Sequence, residues 1–116
     1  MAIGTPVSRG SDKRFATTSD LTLDTFTSAA DELLLCFVHV PASSATPDSV
    51  SGHDGKQSWV QIGSTEVTNS ESYSLWGAIS SGASSTAITV QRSTSSLMTA
   101  VAISVTGCDE IGRAHV

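Results

Sequence analysis

The sequence predicts an all-β fold, an antiparallel β-sandwich of jelly-roll type. Several short segments alternate apolar and polar residues with the two-residue period of a strand, and valine, isoleucine and threonine are frequent in them. No window keeps the 3.6-residue period of a helix. Glycine, serine and asparagine separate the segments at the short intervals that are typical of sandwiches and barrels.

The start of the chain predicts little regular structure. Residues 1–19 mix glycine, proline, serine and charge without periodicity, so we interpret them as a lead-in with at most one edge strand. The sandwich domain is expected over residues 20–110. It begins with a half-buried strand at residues 21–26, and residues 27–32 are expected to form a polar turn or a single helical turn.

A central strand is predicted at residues 33–40, because this segment is apolar at both odd and even positions, as a strand covered on both faces requires. Pro41 ends it, since proline cannot donate to a ladder. Residues 42–58 contain proline, glycine and aspartate, which predicts a long connection with a brief strand at residues 49–51.

Four more strands are predicted in the second half of the chain, at residues 59–65, 73–79, 87–92 and 97–106. The last alternates large aliphatic residues with alanine and serine, so its small face requires a close neighbour. We expect this strand and the strand at residues 33–40 to lie at the centre of the sandwich.

Composition excludes several functional classes. Serine and threonine supply 35 of 116 residues, whereas only 17 residues (6 basic and 11 acidic) are charged. The net charge of -5 opposes binding to nucleic acid, and the basic residues form no patch. The longest apolar run, residues 33–38, cannot span a bilayer, and the first residues lack the apolar region of a secretory signal. We therefore expect neither nucleic-acid binding nor membrane insertion.

The last six residues, 111–116, match the translation of a common sequencing-library adapter, read as ATC GGA AGA GCA CAC GTC. The preceding adapter bases also fit the codon of Glu110. We expect the chain to be a metagenomic fragment that continues naturally beyond Asp109, and the sandwich to lack one or more C-terminal strands. Such a fragment would have an exposed sheet edge and a tendency to associate.

The order of the segments resembles a β-sandwich module that is common in phage virion and tail-associated proteins and in some bacterial surface proteins. In that module an aliphatic strand is followed by a Gly-x-x-Trp strand, a second Trp strand, a Ser/Thr-Val strand and an aliphatic strand ending near Gly-Ala-Asp. The corresponding segments here are residues 33–38, 55–62, 74–78, 86–90 and 102–109. The resemblance covers residues 20–109 and implies further C-terminal strands. Cys108 departs from the module's usual small residue.

The sequence indicates no catalytic apparatus and no cofactor. It has no Gly-x-Ser-x-Gly elbow and no Ser-x-x-Lys motif, so a serine, His53 and Asp54 set has no support beyond the abundance of serine. His53 is expected to be a solvent-exposed turn residue. Asp48, His53 and Asp54 offer oxygen and nitrogen ligands to a divalent ion, but their spacing fits no known loop, so we predict no metal site.

Aromatic residues are the remaining candidates for ligand binding. Trp59, Trp76 and Tyr73 have side chains that stack on sugar rings as readily as they fill a core, and their aliphatic neighbours favour the core. His39 is expected at a sheet rim. Cys36 is expected to be a small core residue, and a bridge to Cys108 stays open because sequence does not give the separation of the two Cα atoms.

These observations predict a non-catalytic structural module of a virion or tail-associated protein, assembled in the host cytoplasm. Its partners would be other virion subunits, with the full-length protein a homo-oligomer. The alternative is a carbohydrate-binding or adhesion module of a cell-surface protein, which would be extracellular and bind glycans. The missing secretory signal favours the first hypothesis, because particles assembled in the cytoplasm need no export.

Overall fold

The computed structural model describes residues 4–41, 46–82, 86–106, 108–110 and 113–114. Within these residues the chain forms strands and no helix, which confirms the predicted all-β class. No helix capable of crossing a membrane therefore occurs in the described part of the chain. The strands are β1 (Val7–Thr22), β2 (Ala30–Val40), β3 (Ser49–Ser51), β4 (Asp54–Gln61), β5 (Glu66–Thr68), β6 (Glu71–Ser81), β7 (Thr89–Val105), β8 (Cys108–Glu110) and β9 (Arg113–Ala114).

Seven of the strands form one antiparallel sheet that curls into a half-barrel. The strand order is β1-β7-β2-β6-β4, with β3 paired to β7 and β5 paired to β6. β2 pairs with β6 on one side and β7 on the other, and β7 also pairs with β1. The two strands that the sequence predicts as central are therefore central.

The register of β2 decides which side chains enter the half-barrel. A bulge between Ala30 and Leu33, with Asp31 at a left-handed φ of 69°, precedes the regular pairing with β6. Beyond the bulge Leu34 and every second residue to Val40 point inward and are at most 2% exposed. A shift of one residue would turn this set outward, so burial of the aliphatic side chains fixes the register.

The concave side of the sheet holds the hydrophobic core. Side chains from all parts of the sheet meet there, and none is more than 8% exposed. They include Leu21, Leu23, Leu34, Cys36, Val38, Val40, Val50, Trp59, Trp76, Ala78, Ile88, Val90, Met98, Ala100 and Ala102. The alternation of large and small residues in β7 lets Met98 and the two inward alanines fit against β2.

The structure differs from the sequence prediction at four places. β1 begins at Val7, so the predicted domain start at residue 20 lies within a strand. The two strands predicted at residues 87–92 and 97–106 are one continuous strand, β7. Residues 27–32 form no helical turn, and β5 was not predicted. Pairing between β1 and β7, from Val7 with Ser104 to Thr22 with Thr89, supplies the backbone hydrogen bonds that extend both strands.

The C-terminal residues form a separate two-stranded element. β8 pairs with β9, with Cys108 opposite Ala114 and Glu110 opposite Arg113. The rest of the adapter-like segment 111–116 lies outside the described residues.

A tight turn before β4 requires glycine. Gly52 has a φ of 107°, which L-residues rarely adopt, and a Cβ atom at this position would collide with the carbonyl oxygen of Ala87. The Gly52 carbonyl also accepts a hydrogen bond from Trp59 Nε1 at 2.6 Å. The turn thus anchors a core tryptophan.

We expect Gly52→Ala to lower the free energy of unfolding by about 2 kcal/mol, because backbone strain and a steric collision add. Chemical denaturation monitored by tryptophan fluorescence measures the effect. Gly63→Ala is the matched control, since Gly63 also has a positive φ of 75° but open space around it. Equal losses in the two variants would show that the collision at Gly52 contributes nothing.

Candidate functional site

The convex side of the sheet, the outer face, is as apolar at its centre as the core. Pairing of β2 with β6 and β7 aligns its outward residues in cross-strand rows. Three rows contain no polar side chain, and they are Ile79–Leu33–Val105, Gly77–Leu35–Ile103 and Leu75–Phe37–Val101. An antiparallel sheet that faces water on one side normally carries polar residues there. The outer face therefore has the composition of a covered surface. It is covered at one end, where Ile79 and Val105 are buried, and open at the other, where Phe37 is 49% exposed.

A groove of about 480 Å³ lies on this face beside Phe37. The row of Leu75, Phe37 and Val101 lines it, and the segment Ile62, Gly63 and Ser64 borders it. Its other lining residues include His39, Glu66, Tyr73 and Thr99, and we call the whole feature the Phe37 groove.

One border of the Phe37 groove is held in place by the chain that follows β4. The backbone N–H of Ile62 donates to the carbonyl of Leu75 at 2.8 Å. The Ile62 side chain lies over Gly77, because a Cβ atom added to Gly77 would be only 2.8 Å from Ile62 Cδ1. Because Gly77 has no side chain, the Ile62 side chain can pack directly on the sheet.

The polar end of the Phe37 groove is a stacked pair of rings. His39 and Tyr73 are cross-strand partners, with ring centroids 4.6 Å apart and an interplanar angle of 2°. His39 Nε2 lies 3.1 Å from Glu71 Oε1, which fixes the imidazole. His39 thus lies in the last of the aligned rows, next to its polar partner Thr99, as expected for a residue at a sheet rim. One face of the Tyr73 ring is covered by His39.

Two polar groups of the groove have no partner among the described residues. Thr99 Oγ1 is buried and makes no hydrogen bond within this part of the chain. Glu66 lies opposite Tyr73 in the pairing of β5 with β6, and its side chain is exposed. The lining includes glutamate but neither lysine nor arginine among the residues described.

Both tryptophans lie in the core. Trp59 and Trp76 are each 8% exposed and belong to the cluster that fills the concave side. Trp76 Nε1 donates to Ser74 Oγ at 3.0 Å. Burial leaves neither indole face open to a sugar ring, so this geometry supports the packing role that their aliphatic neighbours favour. Of the three aromatic candidates for glycan stacking, Tyr73 alone is exposed, at 43%.

His53 is buried, so the expectation of a solvent-exposed turn residue is wrong. It does lie in a turn, with a left-handed φ of 61°, but its ring is 5% exposed. The ring stacks on Phe26 with centroids 4.1 Å apart. Nε2 lies 2.9 Å from the carbonyl oxygen of Thr86, and Nδ1 lies 2.7 Å from Ser28 Oγ. The His53 ring is buried in this turn because its two nitrogens make hydrogen bonds to two neighbouring segments, at Thr86 and at Ser28.

Hydrogen bonds around His53 form a directed chain. A carbonyl oxygen only accepts, so Nε2 carries the proton of a neutral ring and Nδ1 accepts from Ser28. Ser28 Oγ is also 2.5 Å from Ser80 Oγ, which accepts from the backbone N–H of Gly82 at 3.0 Å. The contact of Ser28 with His53 has the distance of a nucleophile and base pair. Burial of both residues gives a substrate no access, so the chain is suited to joining segments.

Two of the three weak candidates for metal ligation make other contacts, and the third is exposed. The Asp48 carboxylate accepts from the backbone N–H of Ser93, and Asp54 is exposed at the start of β4. Both nitrogens of the His53 ring are occupied by Thr86 and Ser28. Among the described residues, no group of three histidine, cysteine, aspartate or glutamate side chains is placed to hold a metal ion.

Cys36 is a buried free thiol on the inward side of β2. The side chain of Cys108 lies outside the described part of the structure, so the structure describes no bridge between them. Desolvation by burial raises the pKa of the Cys36 thiol from 9.0 to about 12. This is the behaviour of a core residue and not of a reactive cysteine.

We expect the Cys36 thiol to resist modification while the chain is folded. In a Cys108→Ser background, a disulfide reagent should label Cys36 only at the rate at which the chain unfolds, and at once in denaturant. Rapid labelling under native conditions would contradict the burial.

The raised pKa also predicts a loss of stability at alkaline pH. The unfolded thiol ionises above pH 9 and the folded thiol only near pH 12, so the folded state binds more protons in between. Stability from this group is complete below pH 9 and falls by about 1.4 kcal/mol per pH unit above it. The advantage of the natural chain over Cys36→Ala should therefore shrink between pH 9 and pH 11 in urea denaturation. A constant difference would contradict the pKa shift.

Sequence reasoning missed the Phe37 groove. Phe37, Leu75 and Val101 each belong to strands that were predicted, but which residues lie opposite one another depends on the register of three strands. The apolar outward positions of residues 33–40 were the available signal, and they were interpreted as a strand covered on both faces.

Comparisons with known proteins give no match: no family model, curated protein or solved structure is significantly similar to this chain.

Proposed function

We propose that the chain is a non-catalytic structural module of a virion or tail-associated protein, and that its outer face docks against a neighbouring subunit. The observation that carries the proposal is the open end of the apolar outer face, where the row of Leu75, Phe37 and Val101 lines a groove and Phe37 is half exposed. Contiguous apolar patches on a polar surface are typical of interaction sites. The resemblance of residues 20–109 to phage modules supports the virion context.

The arrangement of the buried polar side chains favours a role in protein contacts over a catalytic role. Buried polar side chains such as Ser28 and His53 satisfy one another away from solvent. The exposed features of the outer face are instead the Phe37 side chain and the groove beside it, which contribute area and shape to a contact.

An antibody raised against the 116-residue chain tests the proposal in a culture that carries the gene. Particles are treated with nuclease, banded by density and examined by immunogold electron microscopy. We expect gold on the particles, and none on particles from a strain in which the gene is deleted. Antigen confined to the surface of intact cells would overturn the virion assignment and favour adhesion.

Carbohydrate binding is a second candidate because Tyr73 exposes an aromatic side chain beside a groove with hydroxyl and carboxylate groups. Stacking requires an open ring face. His39 covers one face of Tyr73, and Glu66 lies opposite it on β5, which makes the site poorer for a sugar than for an inserted side chain. A glycan array with the chain and its Tyr73→Ala variant discriminates the two functions, since only a sugar site gives binding that the variant loses.

A further inference from the structure

We infer that the Phe37 groove binds a short apolar peptide segment that carries lysine or arginine beside an aromatic or aliphatic side chain. The inference rests on the proposed function, in which the outer face meets another subunit, and it names the chemistry of the segment that this subunit supplies. Size and charge support it independently.

The size of the groove suits an inserted segment. Its volume of about 480 Å³ is within the usual range for sites that enclose a small ligand or a few side chains. The row of Leu75, Phe37 and Val101, bordered by Ile62, offers a depression for one or two apolar side chains and not a broad flat contact.

The negative charge of the Phe37 groove determines which kind of peptide segment is complementary to it. Glu66 lines the groove with no partner in the described part of the chain, and Glu71 lies at its polar end on His39. The chain as a whole carries a net charge of -5. A second copy would bring the same negative charges to the contact, whereas a lysine or arginine beside the apolar anchor complements them.

Two synthetic peptides test the inference with the 116-residue chain. The first has a phenylalanine between two leucines and a lysine at each end, and the second replaces both lysines with glutamate. Fluorescence anisotropy of dye-labelled peptides measures affinity. We expect the basic peptide to bind about tenfold more tightly than the acidic one, with an advantage that decreases as salt is added.

Variants locate the contact. Phe37→Ser should weaken binding of the basic peptide about tenfold, and Glu66→Gln about threefold. Val67→Ser is the matched control, because Val67 is 51% exposed but does not line the groove, and its affinity should be unchanged. Amide shifts of Gly63, Leu75 and Thr99 on titration should follow binding, and circular dichroism should confirm that each variant is folded.

Several results would overturn the inference. Equal binding of the two peptides would remove the charge selection, and equal weakening by Phe37→Ser and Val67→Ser would place the contact elsewhere. A dimer that Phe37→Ser dissociates, without peptide binding, would make a second copy the occupant. Gold labelling of particles without peptide binding leaves the proposed function standing and the inference wrong, whereas peptide binding without particle labelling does the reverse.

Discussion

Replacing Trp76 with alanine is expected to lower the free energy of unfolding by about 3–5 kcal/mol, the range for truncating a large buried aromatic residue. Its indole lies in the core at 8% exposure, directly opposite Cys36 on the neighbouring strand. Truncation opens a cavity in the core on the concave side of the sheet and leaves Ser74 Oγ without its indole donor. Since small domains are stable by only about 5–15 kcal/mol, the variant should lose a large part of its stability. Urea denaturation followed by far-ultraviolet circular dichroism measures the loss.

Two control variants separate the packing of the Trp76 ring from its hydrogen bond and from the loss of an exposed aromatic residue on the same strand. Trp76→Phe retains most of the ring and should cost only about 1–2 kcal/mol. Tyr73→Ala, on the outer side of the same strand, should cost about 1 kcal/mol, because it removes mainly the stack on His39. A Trp76→Ala variant as stable as Tyr73→Ala would contradict the assignment of Trp76 to the core.

Replacing His53 with alanine is expected to cost about 3 kcal/mol, because two buried hydrogen bonds and a stacked ring are lost together. The Thr86 carbonyl loses the imidazole donor and keeps the N–H of Phe26, and the Ser28 hydroxyl loses the ring nitrogen and keeps its contact with Ser80. Phe26 loses the ring stacked on it, and this contact lies beside the isolated bridge that joins Phe26 to Thr86. We expect the turn at His53 and the segments around Phe26 and Thr86 to loosen together, which native-state hydrogen exchange resolves.

His53→Asn is the matched control, since asparagine tolerates a left-handed φ and its amide oxygen can accept from Ser28. It should recover about half of the loss. The tautomer of the natural residue is a direct check: nitrogen-15 NMR should show the proton of the neutral ring on Nε2. A neutral ring with its proton on Nδ1, or an alanine variant of natural stability, would contradict the network.

Strand positions in the centre of the fold were predictable from local pattern. The apolar segment at residues 33–40 and the alternation of Val101, Ile103 and Val105 with alanine and serine each indicate a strand without reference to the rest of the chain. The brief strand at residues 49–51 was also predicted and is present as β3. Burial of Cys36 followed from its parity with Leu34 and Val38.

Features that depend on long-range pairing were not predictable in the same way. β1 lacks a clear apolar period over its first half, and its backbone is nonetheless extended because β7 pairs with it from end to end, with register shifts at four points. His53 follows a glycine and precedes an aspartate, a pattern typical of an exposed turn. Its burial results from Ser28 and Thr86, which are distant in sequence. Local propensity contains no information about such partners.

The outer face was predictable in part from local pattern and in part depends on long-range pairing. Sequence pattern indicated that both sides of β2 are apolar, but not that Phe37 would remain half exposed with Leu75 and Val101 beside it. An apolar side chain in contact with water on a sheet of otherwise well-buried residues is costly in solubility and favours association. The docking proposal follows from this contrast between the two faces.

Photo-crosslinking from position 37 in assembled particles tests the docking of the outer face most directly. Benzoyl-phenylalanine replaces Phe37 in one strain and Val67 in another, since both side chains are about half exposed but only Phe37 lines the groove. Purified particles are irradiated, and crosslinked peptides are identified by mass spectrometry. We predict a crosslink from position 37 to a defined segment of a neighbouring subunit and none from position 67. Crosslinks from position 67 alone, or position 37 free of crosslinks in particles that contain the chain, would contradict docking through the outer face.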